Sequence, residues 1–335
     1  MAEKKNIDLL IDNGTVVTVD KERRVIRNGA VAIHKNKIKE VGKSRTLKQK
    51  YSAKRVYPAT NKLITPGLIN SHIHFYHHMH RGLSPEHLSG LGWSDFVHRH
   101  VATVVDPDDE IWGGLGTLIE TLKTGVTTFL EAGSYNLEET IEGVARIGMR
   151  GLMGRRSFDH VSQGHDMLVD STRKCLRENE RFMQSYSEGV GLVKPCIVLV
   201  GMGRCSDALY RGSKEMADEY GTVLHMHQAN MLENVQEALA LHGERPIEHL
   251  YNLGALGPNV VMVHMVHVNQ QEIEMLASTR ANVVHCPSTA LKLAYGMAAF
   301  GRFPEMAHAG VNVAIGTDAS DCSNFNDMVR LMYLA

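Results

Sequence analysis

From residue 63 to residue 317 the chain alternates short apolar runs with longer stretches of helical spacing. That alternation is the signature of βαβ units on a parallel sheet. Eight strand candidates occur, at 63–74, 126–132, 149–158, 195–203, 222–227, 260–268, 281–285 and 311–317. Helical stretches such as 138–147, 209–220 and 270–277 lie between them; Asn269 with Glu272 three residues on reads as a capping box, and Gly221 stands where a helix-terminating glycine belongs. Eight parallel strands with intervening helices predict an α/β chain closed into a (β/α)8 TIM barrel rather than an open sheet. Residues 1–62 read differently. Val16-Val17-Thr18-Val19 and Ala30-Val31-Ala32-Ile33 accompany the hairpin-type dipeptides Asn13-Gly14 and Asn28-Gly29, which predicts a small antiparallel sheet. The expected division is 1–62 and a barrel over 63–335, ending in the helix after strand eight.

Composition excludes several classes of function. The 335 residues are 43% hydrophobic and 22% charged, with Lys+Arg 36 against Asp+Glu 37, a soluble globular profile without a basic stripe for nucleic acid. No apolar stretch is long enough to cross a bilayer. Five scattered cysteines, without a C-x-x-C pair, predict free thiols in a reducing, cytoplasmic setting. The expected partner is a small-molecule substrate, in a homo-oligomer that binds neither nucleic acid nor membrane. The 19 histidines are the unusual feature, because they bunch where the predicted strands end.

Catalytic groups of such barrels come from the C-terminal ends of strands. Strand one ends Asn70-Ser71-His72-Ile73-His74, and residues two apart share a strand face, so His72 and His74 both point inward and can grip one ion. Strand five ends in His225 and His227; the outer one, His227, is the better ligand, and His225 suits a hydrogen-bonded layer deeper in the barrel. In strand six His264 can face the ion or its water, whereas His267 cannot share that face. Strand eight ends in Asp318, which can complete the shell and act as base, or alternatively cap the next helix. Three imidazoles and a carboxylate suit one divalent ion, Zn, Fe, Co or Mn. Strand four ends without Lys or Glu to bridge a second.

Pro66-Gly67-Leu68-Ile69-Asn70-Ser71-His72-Ile73-His74, Thr124-Gly125-Val126-Thr127-Thr128, His285-Cys286-Pro287-Ser288 and Gly316-Thr317-Asp318 together resemble the amidohydrolase superfamily, in the branch of triazine hydrolases and S-adenosylhomocysteine-type deaminases. The resemblance implies a distorted barrel beside a small β-sandwich, with residues 1–62 its N-terminal part. It also implies metal ligation by His72, His74, His227 and Asp318, with His264 assisting. The sequence departs from the pattern in two places. The chain ends at Ala335, before the strands that complete the sandwich in the family, so either a fragment of a longer protein or a truncated product is expected. And Asn230 stands where deaminases and dechlorinases of the branch carry Glu.

That second departure has chemical weight. Displacing ammonia or chloride from an aromatic N-heterocycle requires protonating a ring nitrogen, which an amide cannot do. Hydrolysis at a urea, carbamate, thiocarbamate or amide carbonyl asks less: Asp318 carries the proton from metal-activated water to the leaving amine, His264 holds the developing oxyanion, and Asn230 supplies hydrogen bonds. The pattern looks similar to phenylurea hydrolases and molinate hydrolase, and implies xenobiotic degradation. The alternative is an aminohydrolase or dechlorinase of a purine- or triazine-like ring, with Glu233 a candidate surrogate acid; a catalytically silent scaffold is a third reading. Around the mouth Phe75, Tyr76, His78, Trp93, Arg155 and Asp159 are expected to contact substrate.

Overall fold

The computed structural model describes residues 3–85, 87–160, 168–201 and 203–335. They form two compact units that divide between Gly67 and Leu68.

In the first unit β1 (Lys5–Val17), β2 (Val25–His34), β3 (Lys37–Lys43), β4 (Tyr51–Pro58) and β5 (Leu63–Ile64) form one sheet in the order β3-β2-β1-β4, with β5 also paired to β1. The sheet is mixed, not purely antiparallel, because β4 and β5 run parallel to β1. Nor do Asn13-Gly14 and Asn28-Gly29 make hairpin turns. Gly14 pairs with Gly29 where the β1–β2 register shifts, and both asparagines take positive φ, so the two dipeptides form facing bulges. The tight hairpin instead uses Lys35-Asn36, both at positive φ, between the paired residues His34 and Lys37. Ile7, Leu10, Ala30, Ala32 and Leu47 fill the core of this unit.

The second unit is the distorted (β/α)8 barrel. Its strands are β6 (Leu68–Ile73), β7 (Val126–Glu131), β8 (Arg150–Met153), β9 (Arg156–Ser157), β10 (Val193–Pro195), β11 (Ile197–Gly201), β12 (Leu224–Gln228), β13 (Val260–His264), β14 (Asn282–His285) and β15 (Asn312–Ile315). They pair in parallel as β10-β8-β7-β6 and β15-β14-β13-β12-β11-β9. The third and fourth barrel strands are each broken, into β8 with β9 and β10 with β11, and the halves belong to different sheets. Gly154 sits at the first break, where a Cβ would lie 2.4 Å from the Cys196 carbonyl oxygen, so only glycine lets the strands approach. The ring closes at a parallel bridge between Ile73 and Asp318, with the Asp318 N–H donating to the His72 carbonyl at 2.9 Å. Between strands the helix Gln270–Thr279 starts on the predicted capping box of Asn269 and Glu272.

Candidate active site

Strand alternation decides what faces the barrel axis. At the end of β6 His72 and His74 turn inward, while Ile73 and Phe75, both fully buried, turn outward into the core shared with Phe129 and Leu118. His225 and His227 come from β12, His264 closes β13, and Asp318 follows β15. All six side chains are at most 5% exposed as residues. The Asp318 carboxylate lies 3.2 Å from His72 Nε2, 3.5 Å from His74 Nε2 and 3.9 Å from His264 Nε2. Nitrogens of His72, His227 and His264 lie within 4.8 Å of one another, as do donor atoms of His72, Cys286 and Asp318. Asp318 and His264 hold this geometry at positive φ, +63° and +77°, a conformation that costs non-glycine residues roughly 1–3 kcal/mol each. Gly316 permits the seam beneath them, because a Cβ there would lie 2.7 Å from that of His72.

The donor set fits a divalent cation. His72 Nδ1 lies 3.1 Å from His225 Nε2, and the His227 Nδ1–H donates to the Val200 carbonyl at 3.0 Å, so each ring presents Nε2 to the centre. Burial, then neighbouring imidazoles, keeps His74 and His227 well below the ordinary histidine value, and burial pushes His264 down to about 4. Burial alone would raise the Asp318 carboxyl, but His72 and His264 hold it below the usual carboxylate range. Unprotonated imidazoles around one carboxylate are the ligand state a borderline cation needs.

Above this floor opens a cavity of about 720 Å³, solvent at its mouth included. Of the residues expected to touch substrate or reacting atoms, Trp93, Asn230, His264 and Asp318 line it. The others stand elsewhere. Phe75 lies on the outward face of its strand, 5.5 Å from the Phe129 ring. Tyr76 is buried with Val97 and Val101. His78, half-buried, packs on Gly116. Arg155 is ion-paired with Asp170 at 2.6 Å. Asp159 accepts hydrogen bonds from the Thr172 hydroxyl and from the Ser206 amide and hydroxyl, tying two loops together. Glu233 is exposed on the outer side of the helix Leu232–His242, while Asn234 and Glu237 on that helix face the cavity. His77 and Arg156, which follow strands one and three at the mouth, also line it, as do Arg204 and Tyr295, which the sequence did not point to. Arg156 and Arg155 are adjacent and chemically equivalent, so only the strand break between β8 and β9 settles which one turns inward.

This buried histidine–aspartate floor at the strand ends of a distorted barrel defines a metal-dependent hydrolase of carbon–nitrogen bonds. The chain belongs to the amidohydrolase family, whose model matches residues 63–335. It is 30% identical over 325 residues to a 5-methylthioadenosine/S-adenosylhomocysteine deaminase of Syntrophobacter fumaroxidans, covering 96% of this chain and 71% of that protein. The fold matches a zinc-bound adenosine deaminase from Xanthomonas campestris, with TM-score 0.86, 24% identity, and coverage of 98% of this chain and 73% of the other. It also matches a zinc complex of atrazine chlorohydrolase from Arthrobacter aurescens TC1, with TM-score 0.85, 23% identity, and coverage of 98% and 76%. Among the described residues no helix is long and apolar enough to cross a membrane, and all five cysteines are free and buried.

Proposed function

We propose that this chain is a hydrolytic deaminase of an amino-substituted nitrogen heterocycle of the purine kind. The observation that carries the reading is its 30% identity, over nearly its whole length, to a protein named for deaminating adenosine derivatives. His72, His74, His227 and Asp318 would hold one divalent ion, which supplies the Lewis acidity that makes water nucleophilic near neutral pH. Asp318, hydrogen-bonded to its own neighbour Ala319 N–H at 2.7 Å, takes the water's proton and passes it toward the leaving amine. His264 steadies the oxygen that adds to the ring. Trp93 offers a flat face; its ring already stacks on His77 at 5.9 Å. Asn230 Oδ1 is buried without a hydrogen-bond partner, an acceptor suited to a substrate N–H. The acid that a ring nitrogen needs must come from a carboxyl group. Among the described cavity-lining residues those are Asp318 and Glu237.

A second reading, cleavage of a urea or thiocarbamate at its carbonyl, is favoured by one specific observation: Asn230 is an amide where proton delivery to a ring calls for an acid. A product assay on the metal-loaded protein separates the two. Ammonia released from an aminopurine panel, and lost in Glu237→Gln, supports deamination. Amine released from aryl ureas or thiocarbamates, with aminopurines untouched, replaces it by the second reading.

A further inference from the structure

Away from the floor, the described residues bring a further group of metal-ligating side chains together. Donor atoms of Asp207, His242 and His249 lie within 4.8 Å of one another. Three elements supply them. Asp207 opens the helix Asp207–Glu219, His242 ends the helix Leu232–His242, and His249 stands within the helix Pro246–Asn252. Gly243, at φ +71°, stops the second helix and turns the chain toward the third, which brings His249 back against His242.

The contacts within the group are those of an imidazole prepared as a ligand. His249 Nδ1 lies 2.9 Å from Glu244 Oε2, and Asn252 Nδ2 donates to Glu244 Oε1 at 2.9 Å, so the carboxylate that receives the Nδ1–H is itself held. A neutral ring with its proton on Nδ1 turns its Nε2 lone pair toward Asp207 Oδ1, 2.9 Å away. A lone pair and a carboxylate oxygen at that distance repel each other unless a proton or a cation lies between them. His242 provides the third ligand that favours the cation. Its ring lies 3.8 Å from that of His249 and within 20° of parallel, and being exposed it can turn edge-on. The His249 side chain is 13% exposed and that of Asp207 41%, so an ion enters from solvent and completes its shell with water.

We propose that Asp207, His242 and His249 form a second cation site, for a borderline divalent ion of the zinc kind, with Glu244 the outer carboxylate that orients His249. Two imidazoles and one carboxylate are ligands that such an ion prefers, whereas magnesium favours oxygen alone. The site lies behind the catalytic wall. Asp207 follows the loop that carries Arg204, and His242 ends the helix that carries Asn234 and Glu237, all three of which line the catalytic cavity. Asn234 also lines a second cavity of about 420 Å³, beside His242 and His249. An ion held here therefore braces two connections of the wall against each other, whichever bond is cleaved above the floor.

The test is equilibrium dialysis of the protein, already holding about one equivalent of zinc, against rising zinc, with the metal bound per chain measured. A second equivalent is expected. His242→Ala and Asp207→Asn should each weaken it at least about tenfold and leave the first in place, and Glu244→Gln should weaken it about tenfold. His242 is exposed, so its variant tests binding without disturbing the core. Asp318→Asn should do the reverse, reducing the first equivalent and sparing the second. Uptake that stops at one equivalent, itself lost in Asp318→Asn, overturns the proposal and leaves His249 an imidazolium between two carboxylates. So does a second equivalent that survives unchanged in His242→Ala and Asp207→Asn, because it then sits on other histidines. Displacement of the second zinc by an equal concentration of magnesium overturns the choice of ion.

Discussion

On the cavity floor His72, His74, His227, His264 and Asp318 all stand on the last residues of barrel strands or one or more steps beyond them. On the wall Trp93 comes from a helix after β6, Arg204 from the loop after β11, and Glu237 from the second turn of the helix after β12. The floor is set by a two-residue repeat along hydrogen-bonded strands, so each side chain's direction follows from its neighbours in sequence. The wall is set by where long connections travel, which depends on packing between residues far apart in the chain. The floor therefore follows from regular strand geometry, and the wall from the less regular connections between strands.

The largest expected effect falls on the floor. Asp318→Asn removes its only anion while keeping its shape, and leaves the imidazoles without charge compensation for an ion. Turnover should fall by at least about a thousandfold, with the bound metal per chain reduced. Metal analysis and kcat/KM measured on the same preparation check this. A D318N protein that keeps its metal and more than a tenth of its rate would show that the floor is not where the chemistry happens.

This contrast also explains what could be read from the sequence. The barrel was legible because strand and helix periods alternate eight times. His72 with His74, and His225 with His227, were legible because polar residues two apart at the end of an apolar strand are costly to bury unless they hold something between them. Asp318 stood out only as a lone carboxylate at a strand mouth, and its grouping with the histidines came from the family resemblance. Phe75 was misplaced for want of the same rule carried one step further: if His74 points inward, its neighbour points outward, and Phe75 duly packs on Phe129. Arg155 and Arg156 could not be separated, because the interruption between β8 and β9 resets the alternation and has no local signal beyond Gly154. The Asn-Gly pairs of the first unit failed differently. Both are turn-formers by conformation, but facing each other across two strands they serve as paired bulges.

Behind the wall, Glu131 sharpens the comparison. The His74, His227 and His264 imidazoles and the Asp318 carboxylate are buried in the state that binds a cation, whereas Glu131, fully buried with Oε1 unpartnered and Oε2 accepting from the Gly133 amide at 2.7 Å, is buried with a proton. Burial, then the charge of Glu110, raises its carboxyl from 4.5 to about 8. Between those values the folded chain holds a proton that the unfolded chain has lost, so stability falls as pH rises through the window. The full shift corresponds to a loss on the order of 5 kcal/mol. Glu131→Gln keeps the shape without the ionisation, and should remove that part of the pH dependence: the parent's Tm should fall more between pH 5 and pH 9 than the variant's. Parallel Tm curves for the two proteins would show that Glu131 is ionised at neutral pH.

The smallest effect tests the wall's inner and outer surfaces against each other. Arg155 and Arg156 are neighbours of identical chemistry, yet Arg155 lies 2.6 Å from Asp170 in a pair that is 28% and 17% exposed, while Arg156 faces the cavity. Asp170 also holds Lys174 at 2.6 Å, so Arg155→Ala leaves that carboxylate with a cation. The loss of a partly exposed pair is worth about 0.5–1 kcal/mol of stability, and kcat and KM should stay within about twofold of the parent. Arg156→Ala, one residue along, removes a buried side chain that lines the cavity and should instead raise KM by an order of magnitude or more. If Arg155→Ala raised KM as much as Arg156→Ala, the strand break would not be sorting the two side chains to opposite surfaces, and the wall would have to be redrawn to include the Arg155–Asp170 pair.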